Sequence, residues 1–145
     1  MSDLIGATGQ PYAMEIERGK IREFARATKA RDGSYLNDPH PVAPPTFLSS
    51  AAFWTTPASS ALDPGSINWA RILHGEQEFV FHGPPPRAGQ TLVAQQRVED
   101  QYEKEGRRGG TMRFFVLVTE FRTEDGELVA ESRSTVIETS KAASS

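Results

Sequence analysis

Between His40 and Asp63 the chain carries no charged side chain, and inside that interval lies VAPPTFLSSAAFW, residues 42–54. No other stretch limits the fold as much. Pro44 and Pro45 suit the first turn of a helix, where their missing N–H groups are not needed and the ring presets the helical φ. Phe47, Leu48, Ala51 and Ala52 then recur at helical spacings, while Ser49, Ala51 and Ala52 keep the surface thin. A solvated surface helix would carry charge, so the run predicts a helix covered on most sides and laid against a sheet. Pro57 bounds its length, and about ten residues of helix would span roughly 15 Å.

The segments around this run supply the sheet. Residues 1–11 are small and polar without a period, which predicts a loose lead-in. Tyr12, Met14 and Ile16 alternate with polar or small residues, a short strand. In GKIREFARATKA, Ile21, Phe24, Ala25 and Thr28 share one face and Lys20, Arg22, Glu23, Arg26 and Lys29 the other, an amphipathic helix ending near Asp32 and Gly33. GSYLNDPHP, residues 33–41, is turn-forming and reads as a loop that delivers the chain to the central helix. Residues 55–66, rich in Pro, Gly and Ser, read as a surface loop or mobile flap.

Four strand patterns follow. Phe79 and Phe81 alternate with Glu78, Val80 and His82, before a turn containing Pro84, Pro85 and Pro86. Leu92, Ala94, Gln96 and Val98 mark one side of the next strand. TMRFFVLVTEFRT is the most apolar and predicts a central strand covered on both faces. Asp125 and Gly126 form the hairpin pair leading to ELVAESRSTVIET. The expected arrangement is strand, helix, loop, buried helix and a four-stranded antiparallel meander, followed by a disordered tail at 140–145.

A chain of 145 residues is one domain with room for a substantial core. Its mean hydropathy of -0.48, and the absence of any apolar run near twenty residues, predict no membrane span. The N-terminus lacks a basic region followed by an apolar one, which predicts a cytoplasmic protein. A net charge of -3 argues against nucleic acid as a partner. The basic cluster Lys104, Arg107 and Arg108 is interrupted by an acid and glycine and reads as a solvated hairpin tip. With no cysteine, thiolate nucleophiles and cysteine metal sites are absent. His74 and His82 would lie roughly 26 Å apart on an extended strand, so no metal is expected. Ser49 and Ser50 have no nucleophile elbow around them and read as packing residues.

Two motifs together carry a resemblance to a known family. Ala43, Pro44, Pro45, Thr46 and Phe47 open the central helix, and Leu73, His74, Gly75, Glu76 and Gln77 open the following strand; His82, Pro84 and Gly89, and Phe24, Ala25 and Ala27, match in order and spacing. On these residues the chain resembles the MaoC-like dehydratase and hydratase group, in particular its N-terminal, A-type half, over roughly residues 10–140. The resemblance implies an α+β single hot-dog domain, residues 12–139, whose antiparallel sheet wraps a central buried helix. It implies action on acyl thioesters carried by CoA or acyl carrier protein, in fatty acid or lipid metabolism, with no other cofactor.

Active halves of this group carry Asp-x-Asn-Pro-x-His in the loop before the helix, with the aspartate and histidine as the acid–base pair acting on water. Here the loop reads RDGSYLNDPHP: Asp32 would need a histidine at Asn37, and His40 an aspartate at Tyr35. The expectation is therefore a non-catalytic subunit of a heteromeric enoyl-thioester hydratase or (3R)-hydroxyacyl-thioester dehydratase. Its partner would be a hot-dog chain with the full motif, or a second copy of itself. Tyr35, Phe47, Leu48, Phe53, Trp54 and His74 are the candidate substrate-binding residues, although a plain core would use the same aromatic and aliphatic side chains. A self-sufficient homodimeric hydratase or thioesterase would have to draw on Asp38, His40 or Glu76, and a pure acyl-thioester binding module would use none of them. His74 and Glu76, at i and i+2, are expected on one strand face.

Overall fold

Among the described residues, 3–140 of the computed structural model, five strands form one antiparallel sheet. They are β1 (Tyr12–Glu15), β2 (Ile72–Phe81), β3 (Thr91–Glu105), β4 (Thr111–Thr123) and β5 (Leu128–Glu138), ordered β1-β3-β4-β5-β2. Residues 141–145 of the expected tail lie outside the described residues. The alternation in sequence becomes the two faces of this sheet. Leu92, Ala94, Val98, Phe115, Leu117, Phe121 and Ala130 are buried on the concave face. β4 is central, as its apolar composition predicts. On the convex face Val118 is fully buried between its register partners Arg97 and Arg133. These arginines are ion-paired: Arg97 with Glu99 at 3.2 Å and Glu120 at 2.8 Å, Arg133 with Glu99 and, at 3.4 Å, Glu131. A charged layer over arginine stems thus covers the centre of the convex face.

Glu120 gives that layer a pH dependence. Burial opposes its ionisation, but hydrogen bonds and charge from Arg122, then Arg97, outweigh this and hold its carboxyl below the ordinary value. The unfolded chain therefore binds the proton more readily. The stabilisation is fully present above about pH 4.3 and is lost as pH falls through the lower folded value. Glu120→Gln is expected to lower the melting temperature at pH 7 and to converge with the native chain under acid. Parallel pH–stability curves would contradict this role.

The expected four-strand meander is corrected. β3, β4 and β5 do form one, with Gly126 at φ 92° in the last turn, but β2 pairs with β5 at the far edge. The triple proline explains the jump, because it removes three N–H donors and prevents a tight return onto β3. The linker pairs instead with the chain before the central helix: Ala43 donates to the Pro86 carbonyl at 2.8 Å and Ala88 to that of Pro41 at 2.9 Å. β2 is left with one long unpaired edge among the described residues.

Helix α1 (Arg18–Ala27) buries Ile21 and Ala25 against the sheet, and Lys29, at φ 57°, turns the chain out soon after it. This end falls earlier than expected. Within the predicted loop, residues Ser34–Asn37 form a single helical turn, α2. The central helix is shorter and less enclosed than predicted: Phe47–Trp54 winds as a tight 3₁₀ segment that buries Phe47, Leu48 and Ala51. Phe53 is 88% exposed. Hydroxyls contribute to the tightness, since Ser49 Oγ donates to the Thr46 carbonyl, Ser50 Oγ to that of Phe47 and Thr55 Oγ1 to that of Ala52.

The stretch expected to be a surface loop or mobile flap is packed. Ala61, Leu62 and Ile67 form a second core cluster with Val98, Phe115 and Leu117. Leu4 and Ala7 of the lead-in pack on the same cluster. The lead-in also runs along β3, with hydrogen bonds from Gly6 to Val98, Val98 to Ala7 and Gly9 to Gln96, all 2.9 Å. Short apolar residues among the glycines and prolines found a sheet face to cover, which composition alone does not reveal.

Candidate functional site

A half-open groove of about 400 Å³ lies between α1 and the Phe47–Trp54 segment. The apolar side of α1 supplies Phe24 and Ala27; the segment supplies Phe47, Ser50, Phe53 and Trp54. Phe24 meets Phe47 edge to face, with centroids 5.5 Å apart and planes at 83°. Glu15, Glu17, Lys20 and Glu23 complete the lining. Apolar walls with a few polar groups at the mouth suit a hydrophobic chain. Ser50, half-buried in the groove lining, donates its hydroxyl to the Phe47 carbonyl at 2.7 Å.

The sequence candidates separate in space. Phe47, Phe53 and Trp54 line the groove. Leu48 is buried in the main core, and Tyr35 packs against that core from α2. Asp38 accepts the backbone N–H of His40 at 2.8 Å and sits 3.6 Å from Arg87, which donates to the His40 carbonyl at 3.1 Å. The His40 side chain is exposed. Asp32, at the head of the same loop, accepts the Ser34 N–H at 2.9 Å. That bond, followed by one to the Ser34 hydroxyl, holds its carboxyl below the usual range.

His74 and Glu76 occupy opposite faces of β2, correcting the expectation of one face. A bulge at Gly75 shifts the register, so that His74 opposes Val136 and Glu76 opposes Thr135. His74 Nε2 lies 3.2 Å from Gln77 Oε1 on the concave side. Glu76 lines a separate polar hollow of about 290 Å³ on the convex side, with Glu78, Asp100, Tyr102 and Arg133. Among the described residues no group of three or more His, Cys, Asp or Glu is arranged to hold a metal ion. Nor is any helix there long and apolar enough to cross a membrane.

Sequence reasoning missed Phe24, Ala27 and the charged mouth as site residues. Phe24 is legible on the apolar side of an amphipathic helix, and Ala27, three residues on, adjoins it. Nothing local pairs that face with a segment some twenty residues onward.

This sheet, its α1 and the short concave-side segment form a hot-dog fold, the fold of solved MaoC-like dehydratases. Residues 3–132 match the family model described as "FAS1-like, dehydratase domain region". A UPF0336 protein of Saccharopolyspora erythraea is 33% identical over 136 residues, covering 86% of this chain and 81% of that one. One of Streptomyces coelicolor is 35% identical over 106 residues, covering 66% and 69%. The crystal structure of the C-terminally truncated HadBC (3R-hydroxyacyl-ACP dehydratase) complex from Mycobacterium tuberculosis superposes with a TM-score of 0.74 at 28% identity, over 94% of this chain and 98% of that one. The ChsH1–ChsH2 complex of the same organism shares the fold, with a TM-score of 0.68 at 18% identity over 94% and 86%. The chain belongs to the FAS1-like dehydratase-region family and, within the curated proteins, to UPF0336.

Proposed function

We propose that this chain is the acyl-binding, non-catalytic A-type subunit of a heteromeric enoyl-thioester hydratase or (3R)-hydroxyacyl-thioester dehydratase. The observation that carries this reading is the state of the loop before the central segment. Asp32 is engaged by the Ser34 amide, and Asp38 by the His40 amide and Arg87, while the His40 side chain is exposed. Tyr35 stands where an Asp-x-Asn-Pro-x-His motif ending at His40 would need its aspartate. The groove between α1 and the Phe47–Trp54 segment has walls for an acyl chain, and neither His40 nor any aspartate of the loop is among the residues lining it.

The unpaired edge of β2 supports a partner. A ten-residue strand with one edge unpaired calls for another strand, and a second hot-dog chain offers one in antiparallel register. That HadBC and ChsH1–ChsH2 are described as complexes supports the same assignment. The partner supplies the aspartate and histidine; the thioester carrier, CoA or acyl carrier protein, is the only cofactor the chemistry needs.

The test is hydration of an enoyl-CoA, followed by loss of absorbance of the conjugated thioester. The chain alone is expected to give no turnover above background, and co-purification with a hot-dog partner bearing the full motif is expected to restore it. Turnover by the chain alone, abolished by changing Asp38, His40 or Glu76 to alanine, would replace this reading with a self-sufficient enzyme.

A further inference from the structure

The groove is apolar within and acidic at its mouth. Phe24, Ala27, Phe47 and Trp54 form the walls, and three carboxylates with one ammonium stand around them. Lys20 and Glu23 are neighbours on α1, 3.1 Å apart, and compensate each other. Glu15, at the end of β1, and Glu17, immediately before α1, form no ion pair among the described residues. Two carboxylates outside pairing distance of any described cation thus stand among the residues that line the groove.

From this we infer that the groove selects acyl chains with an uncharged end and rejects chains ending in a carboxylate. The inference rests on the reading of the groove as the acyl pocket. A methyl end gives up nothing by leaving water and gains contact with the aromatic walls. A terminal carboxylate would lose hydration against those walls and meet Glu15 and Glu17 as like charges. The same repulsion acts on the phosphates of a carrier. It places the far end of the acyl chain at this mouth and keeps the carrier away from it. Glu15 and Glu17 thus act as specificity determinants without touching the reacting atoms.

Calorimetric titration of the full chain with dodecanoyl-CoA and with its ω-carboxylate counterpart tests this. At low ionic strength the methyl-ended thioester is expected to bind about tenfold more tightly, with the difference narrowing as salt is added. In the double variant Glu15→Gln with Glu17→Gln the difference is expected to fall to about twofold or less. Trp54→Ala is expected to weaken both ligands, because it removes a wall of the groove. Equal affinities in the native chain, or a difference that the double variant leaves intact, would overturn the inference even where Trp54→Ala weakens binding and the acyl pocket stands. If dodecanoyl-CoA does not bind, or binds equally well to Trp54→Ala, the acyl-pocket reading falls and the inference falls with it.

Discussion

Phe47→Ala is expected to destabilise the fold by about 3–5 kcal/mol and to lower the melting temperature by on the order of 10 °C. Phe47 is 2% exposed, packs in the main core with Leu48 and Ala51, and meets Phe24 edge to face. Truncation removes transfer energy, opens a cavity beneath the 3₁₀ segment and merges that cavity with the groove. Phe53, six residues further along the same segment, is 88% exposed. Phe53→Ala should stay within about 0.5 kcal/mol of the native chain. Urea and thermal unfolding of the two variants measure the contrast. Equal losses would mean that the segment is not seated with Phe47 inward and Phe53 outward.

Gly9→Ala should be nearly as damaging, for a different reason. A Cβ at this position would lie 1.9 Å from the carbonyl oxygen of Ser59 and 2.4 Å from its carbon. Those are backbone atoms, so no rotamer change relieves the clash. The lead-in must separate from the loop, straining the hydrogen bonds from Gln10 to the Ala58 carbonyl at 2.8 Å and from Gly9 to that of Gln96 at 2.9 Å. We expect a loss of about 3 kcal/mol from overpacking and weakened hydrogen bonds, with hydrogen-exchange protection falling first at Gly9 and Gln10. Native protection at those amides would show that the close approach is not what holds the lead-in down.

Much of the fold is legible because strand alternation and helix periodicity are local. Leu92, Ala94 and Val98 announce the concave face of β3 before any partner is known, and the apolar run of β4 announces a central strand. The place of β2 is not legible in the same way. Its three following prolines say that the chain cannot turn back tightly, but not that it crosses to β5. The bulge at Gly75 is equally hidden: two residues of an alternating strand read as one face until an extra residue in the register puts His74 and Glu76 on opposite sides. In the site, Phe47, Phe53 and Trp54 could be singled out as aromatic residues of an uncharged run. Their different exposures could not, since exposure depends on what α1 covers.

What the sequence determines by itself is the set of local commitments: a helical run soon after Pro44 and Pro45, the period-two strands, the Asp-Gly turn, and a loop in which no aspartate and histidine stand at the spacing the acid–base motif requires. Each follows from backbone sterics or side-chain chemistry within a few residues. Only the tertiary structure decides that α1 and the Phe47–Trp54 segment enclose a groove, that Glu15 and Glu17 stand at its mouth, and that the edge of β2 is left unpaired. Those features come from segments far apart in the chain. They are settled where burying two apolar faces against one sheet leaves space between them, a balance of contacts that no single stretch contains.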